Sequence, residues 1–235
     1  MDRRIVQAPR GHTPGLPTVW GFATQTEERD VTHDVQIFYV NSGHANANDA
    51  NTGLDPVYPV ATVQELVDRC TGASVYRPAP ESYDVIYVSG NVEEDVQTGD
   101  YTEMPSYVHL LGVGTSFYAP AWIGDDAATP SLDLRCVGWR VANFRFYGKT
   151  GASSVVLRHT DSGANDIAIR TIIENCLFDG LTTGLRGIES HGCYDCWFIN
   201  CTFQLWNNVA NTAVGMEVTT TPLAIPYRNH IVNCI

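Results

Sequence analysis

The sequence predicts an all-β chain folded as a parallel β-solenoid, and three observations carry the prediction. Charged residues are few (17%) and hydrophobic ones many (44%), with 20 glycines and 12 prolines, the balance of a β-rich protein. From Ser131 onward apolar runs alternate with short turns, and no helical pattern interrupts them. An apolar–x–Asn motif also returns at Val141-Ala142-Asn143, Ile173-Glu174-Asn175, Phe198-Ile199-Asn200 and Ile231-Val232-Asn233.

Those asparagines lie 32, 25 and 33 residues apart, the length of one solenoid turn with loops of varying size. Asparagine tolerates the left-handed backbone that a bend between two strands needs. Stacked amides can then hydrogen-bond from coil to coil as a ladder. Phe144, Cys176, Cys201 and Cys234, which follow the asparagines, are expected to point inward, as are Phe146, Phe178 and Phe203. The competing reading is an antiparallel sandwich, whose hairpins favour tight two-residue turns.

Residues 1–34 differ from the rest. Pro9, Pro14 and Pro17, with Gly11, Gly15 and Gly21, break any regular element. The segment reads either as a disordered tail or as an extended arm that docks on a partner through Val19, Trp20 and Phe22. Residues 35–235 form the solenoid domain. It opens with the strand VQIFYV, followed by a turn-rich loop. TVQELVDRC at 62–70 has helical signals: Thr62 as N-cap, Glu65 three residues on, and Val63, Leu66 and Val67 on one face. Strands follow at 84–90 (DVIYVSG) and within 107–114 (YVHLLGVG). The last motif, HIVNCI, stops before its inward Phe position, so a longer polypeptide is expected.

Two stretches carry a family resemblance. Asn51, Gly53, Pro56, Pro59, Ala61, Thr62, Val63 and Gln64 follow an opening strand, and DVIYVSG then precedes MPSYVHLLGVG. This arrangement resembles the pectin-lyase-like right-handed parallel β-helix superfamily, most closely its phage tailspike and virion members, over residues 36–235. The resemblance implies a right-handed coil with the 62–70 helix as a lid on its first turn. It also implies a homotrimer, with carbohydrate sites in later coils or between subunits. The superfamily holds pectate lyases, polygalacturonases and epimerases as well as tailspikes, so fold alone does not choose among them.

The net charge of −12, with Lys149 the single lysine and no basic stripe, argues against nucleic acid as a partner. No run approaches the ~20 apolar residues of a membrane span, so no membrane insertion is expected. MDRRIVQAPRGH lacks the apolar core of a signal peptide. A virion protein made in the host cytoplasm is expected. The seven cysteines sit in apolar runs and read as reduced and buried.

Catalytic candidates are Asp95, Asp100 and Glu103, in the acidic run NVEEDVQTGDYTE with Glu93 and Glu94, although such a run reads first as a solvated loop. Asp125 and Asp126 read the same way. Asp166, Asp179, Glu189, Asp195 and Glu217, with Arg158, Arg170 and Arg186, are spread over later coils. They form neither a polygalacturonase-like triple-aspartate signature nor a pectate-lyase-like arginine motif. His191, Cys193, Cys196 and Cys201 lack the two-knuckle spacing of a zinc site, so neither metal nor cofactor is expected. Trp122, Trp139, Trp197 and Trp206 could stack on sugars or fill coil corners and subunit contacts.

The function expected is structural: a virion component such as a tailspike, tail fibre or head-decoration protein. Its arm would anchor to other virion proteins and its β-helix would meet host polysaccharide. The alternatives are a polysaccharide lyase or glycoside hydrolase, and a stand-alone carbohydrate-binding module.

Overall fold

Short strands with one apolar face must bury that face, and here they do so by winding around a shared interior. The computed structural model describes residues 35–72, 77–99, 102–114, 118–159, 166–181, 184–204, 214–219 and 228–235. The candidate arm lies outside the described residues. The described chain is mostly β, with one helix, and its strands form three parallel sheets.

The seven-stranded sheet contains β1 (Ile37–Val40), β2 (Val85–Val88), β4 (His109–Gly112), β7 (Arg140–Ala142), β10 (Ile172–Glu174), β13 (Trp197–Ile199) and β16 (His230–Val232). The four-stranded sheet contains β5 (Ala121–Trp122), β8 (Arg145–Tyr147), β11 (Leu177–Asp179) and β14 (Thr202–Gln204). The five-stranded sheet contains β3 (Val96–Gln97), β6 (Leu132–Leu134), β9 (Ser153–Arg158), β12 (Arg186–His191) and β15 (Val214–Thr219). From β4 to β15 the chain visits the seven-, four- and five-stranded sheets in turn, one strand each, four times over. This solenoid-like path makes circuits three to six; β2 and β3 belong to circuit two, and β16 opens circuit seven.

The strand register explains the asparagine spacing. Val141 pairs with Ile173, Ile173 with Phe198, and Phe198 with Ile231. Asn143, Asn175, Asn200 and Asn233 then follow their strands in left-handed backbone, with φ between +52° and +63°. Asn200 Nδ2 donates to Asn175 Oδ1 at 3.1 Å. A second left-handed position stands two residues before each strand of this sheet after β1: Tyr83, Tyr107, Gly138, Arg170, Asp195 and Arg228, at φ +52° to +75°. In this sheet β7, β10, β13 and β16 are thus each bent at both ends.

Alternate residues fill the interior in columns. Phe38, Ile86, Leu110, Val141, Ile173 and Phe198 are buried one above another; Ile231, next in the column, is 61% exposed. Trp122, Phe146, Phe178 and Phe203 form a parallel stack with centroids 5.3, 5.2 and 4.9 Å apart, each pair contributing about 0.5–1.5 kcal/mol beyond its buried area.

The first circuit carries the helix α1 (Val63–Cys70), which buries Val63, Leu66 and Val67. Thr62 caps it by accepting from Glu65 N at 3.3 Å. The free edge of β3 is met by Gln64, whose Oε1 accepts from Gln97 N at 3.0 Å and whose Nε2 donates to Gln97 O at 3.5 Å. One side-chain amide thereby replaces the neighbour strand that β3 lacks. The free edge of β1 is bonded to its own following loop, through Tyr39 N to Gly53 O (2.7 Å) and Val60 N to Tyr39 O (2.9 Å). Buried Arg69 holds that loop by donating to the carbonyls of Asp49, Asn51 and Thr52, and also donates to Pro78 O beyond the helix.

The acidic run departs from the solvated loop expected of it. Val92 and Val96 within it are buried, Val92 bridges to Trp122, and Val96 begins β3. Only two inward residues were needed to bring the run onto the core.

Candidate functional site

Charged side chains with chemical potential collect on the outward face of the five-stranded sheet. In the sequence SLDLR, Leu132 and Leu134 point inward, which turns Asp133 outward. The same alternation in β12 buries Ile188 and Ser190 and leaves Glu189 and His191 outside. Parallel register then aligns Asp133, Val156, Glu189 and Glu217 in one row and Arg158, His191 and Thr219 in the next.

Within this face, Asp133 accepts from Arg158 Nε at 2.8 and 2.9 Å and from Arg135 Nη2 at 2.8 Å. Glu189 accepts from Ser153 Oγ at 2.6 Å and lies 3.1 Å from His191 Nε2. Arg186 Nε donates to Glu217. Glu189 and Glu217 sit on neighbouring strands, so their Cα atoms are about 5 Å apart. Carboxylates on adjacent strands with a histidine beside them can perform acid–base chemistry on a sugar. Here each already has a cationic or hydroxyl partner. Glu189, Glu217, Arg158 and Arg186 are among the residues that the sequence marked as scattered over later coils; register gathers them. Asp133 was not singled out, although its place between two inward leucines signalled it.

The acidic-run candidates take other places. The Asp95 side chain is 8% exposed and pairs with the more deeply buried Lys149, while its other oxygen accepts from Asp126 N at 2.9 Å. Burial pushes its carboxyl upward, against the lowering contact of Lys149. Such a tied carboxyl is not an open catalytic group, which corrects the expectation for Asp95. Glu103 is exposed, and Asp100 lies outside the described residues. Glu94 is the most perturbed carboxyl of the run. It accepts from Val63 N at 2.5 Å and Gln64 N at 3.2 Å, yet burial pushes it up to about 7. It borders a cavity of ≈ 110 Å³ lined by Val40, Ser42, Ala61, Thr62, Asn91, Val92 and Glu93.

Two of the four tryptophans are corrected as sugar platforms. Trp122 and Trp139 are buried, their indole N–H groups donating to Glu94 O at 3.0 Å and Pro105 O at 2.9 Å. Trp197 is half-buried and stacks on His230 with centroids 3.8 Å apart. Trp206 lies outside the described residues, as do Val19, Trp20 and Phe22.

The cysteines line the interior. Cys176 and Cys201 are fully enclosed and Cys234 partly so; Cys201 meets both of the others. Burial raises the Cys136 and Cys176 thiols to about 12 and drives Cys193 and Cys201 upward too. Thiols so raised are poor nucleophiles and reluctant metal ligands. Among the described residues no group of three or more His, Cys, Asp or Glu side chains is disposed to hold a metal ion.

Comparison with protein families, with curated proteins and with solved structures gives no match to this chain.

Proposed function

We propose that the chain is a right-handed parallel β-helix whose work is structural, a stiff element of a virion such as a tailspike, tail fibre or decoration protein. Residues 1–34 attach it to other virion proteins, it assembles as a homotrimer, and its flank meets host-surface polysaccharide. One observation carries the structural part of this reading. Ion pairs Arg140–Glu174, Arg145–Asp179, Arg158–Asp133, Arg186–Glu217, Arg228–Asp195 and Lys149–Asp95 each join side chains of different circuits. Among the described residues these pairs tie turn to turn along the stack.

A second reading, a polysaccharide lyase or hydrolase, is favoured by the Glu189–His191 contact beside Glu217. Incubation of the full chain with acidic and neutral polysaccharides separates the two. The structural reading expects no depolymerisation, in the parent and in Glu189→Gln alike. Chain cleavage by the parent that Glu189→Gln abolishes would establish the enzyme instead.

A further inference from the structure

The chain's single lysine is enclosed at the corner between the four- and five-stranded sheets. Lys149, between β8 and β9 in circuit four, reaches past circuit three to Asp95 in circuit two. On the way its Nζ also donates to Asp126 O. Side-chain exposure is 5% for Lys149 and 8% for Asp95. Gly124, at φ +71°, makes this possible: a β-carbon there would overlap both Lys149 Nζ and the Asp95 carboxyl oxygen. The corner is shaped to press an amine against a carboxyl away from water.

We propose that Lys149 and Asp95 join covalently, as an intramolecular isopeptide bond that staples circuit two to circuit four. Within the Lys149–Asp95 pair a proton passes from the ammonium to the carboxylate, and the amine so formed attacks Asp95 Cγ, forming the C–N bond. The tetrahedral adduct then breaks one C–O bond, and that oxygen leaves as water with one proton from the amine and one from the carboxyl. Nothing is oxidised or reduced, and no co-reactant is needed. Asp125, on the exposed side of the corner, shares a hydrogen bond with the Asp95 carboxyl and can relay these protons. Burial holds that carboxyl towards its protonated form, the form from which water can leave. Exclusion of solvent favours the condensed product over hydrolysis.

Intact-mass measurement of the full chain tests the proposal without any variant. The expected mass is lower than that of the sequence by one water, and proteolysis should release a branched peptide joining the segments that contain Lys149 and Asp95. Lys149→Arg should restore the full mass and abolish the branched peptide. A parent mass equal to that of the sequence overturns the proposal, as does a water loss that persists in Lys149→Arg.

Discussion

At the scale of single residues, the fold is organised by backbone that most side chains avoid. A non-glycine residue in the left-handed region costs about 1–2 kcal/mol, and this chain accepts that on both sides of β10, β13 and β16. Asparagine lowers the cost and adds a bond along the ladder, as Asn200 does to Asn175. Asn175→Ala should therefore destabilise by about 1–2 kcal/mol in urea unfolding, while Asn175→Gly, which relieves φ, should lose less. Equal losses for the two variants would contradict the role of φ. The asparagine ladder was legible because one letter recurs at one place. Its counterpart before each strand was not, because Tyr83, Tyr107, Gly138, Arg170, Asp195 and Arg228 share a conformation without sharing a chemistry. Trp122 was left open between sugar platform and coil filler for a related reason: its place in the phenylalanine stack depends on pairing with Phe146, and β5 is only two residues long.

At the scale of elements, the first circuit shows how a solenoid end is closed. Helix α1 was legible from Thr62, Glu65 and its apolar face. Strand β3 was not, since two residues inside an acidic run show no period, and the Gln64 contact that closes its edge spans 33 residues. Glu94 links these elements and should make stability depend on pH. Its folded-state value of about 7 lies above the usual 4.5. Its favourable contribution is therefore complete below pH 4.5 and lost as pH rises through 7, a change on the order of 3 kcal/mol. His109, pushed down to about 4 by burial and then by Arg140, runs the other way, contributing more as pH rises from 4 to 6.5. Between pH 5 and 8 the two largely offset each other. Glu94→Gln should leave the His109 slope uncovered, so that the variant's stability rises by about 2 kcal/mol from pH 5 to pH 8 while the parent's changes little. Urea unfolding at both pH values measures this, and an identical pH response in the two proteins would contradict it.

At the scale of the whole molecule, inward columns of apolar and aromatic side chains and outward ion pairs act along the same axis. The circuit length could be read from the asparagine spacing because register and repeat are one fact seen twice. The outward charged face could not be read as a unit. Asp133, Arg158, Glu189, His191 and Glu217 come together only once four strands far apart in sequence are set in register. The central proposal, attachment to a particle through residues 1–34, is tested most directly by measuring incorporation into particles. The full chain should be compared with a chain beginning at Val35, with far-UV circular dichroism checking that the strands persist. The account predicts that the shortened chain keeps its β signal and is no longer incorporated. Unchanged incorporation of a folded, armless chain would contradict it.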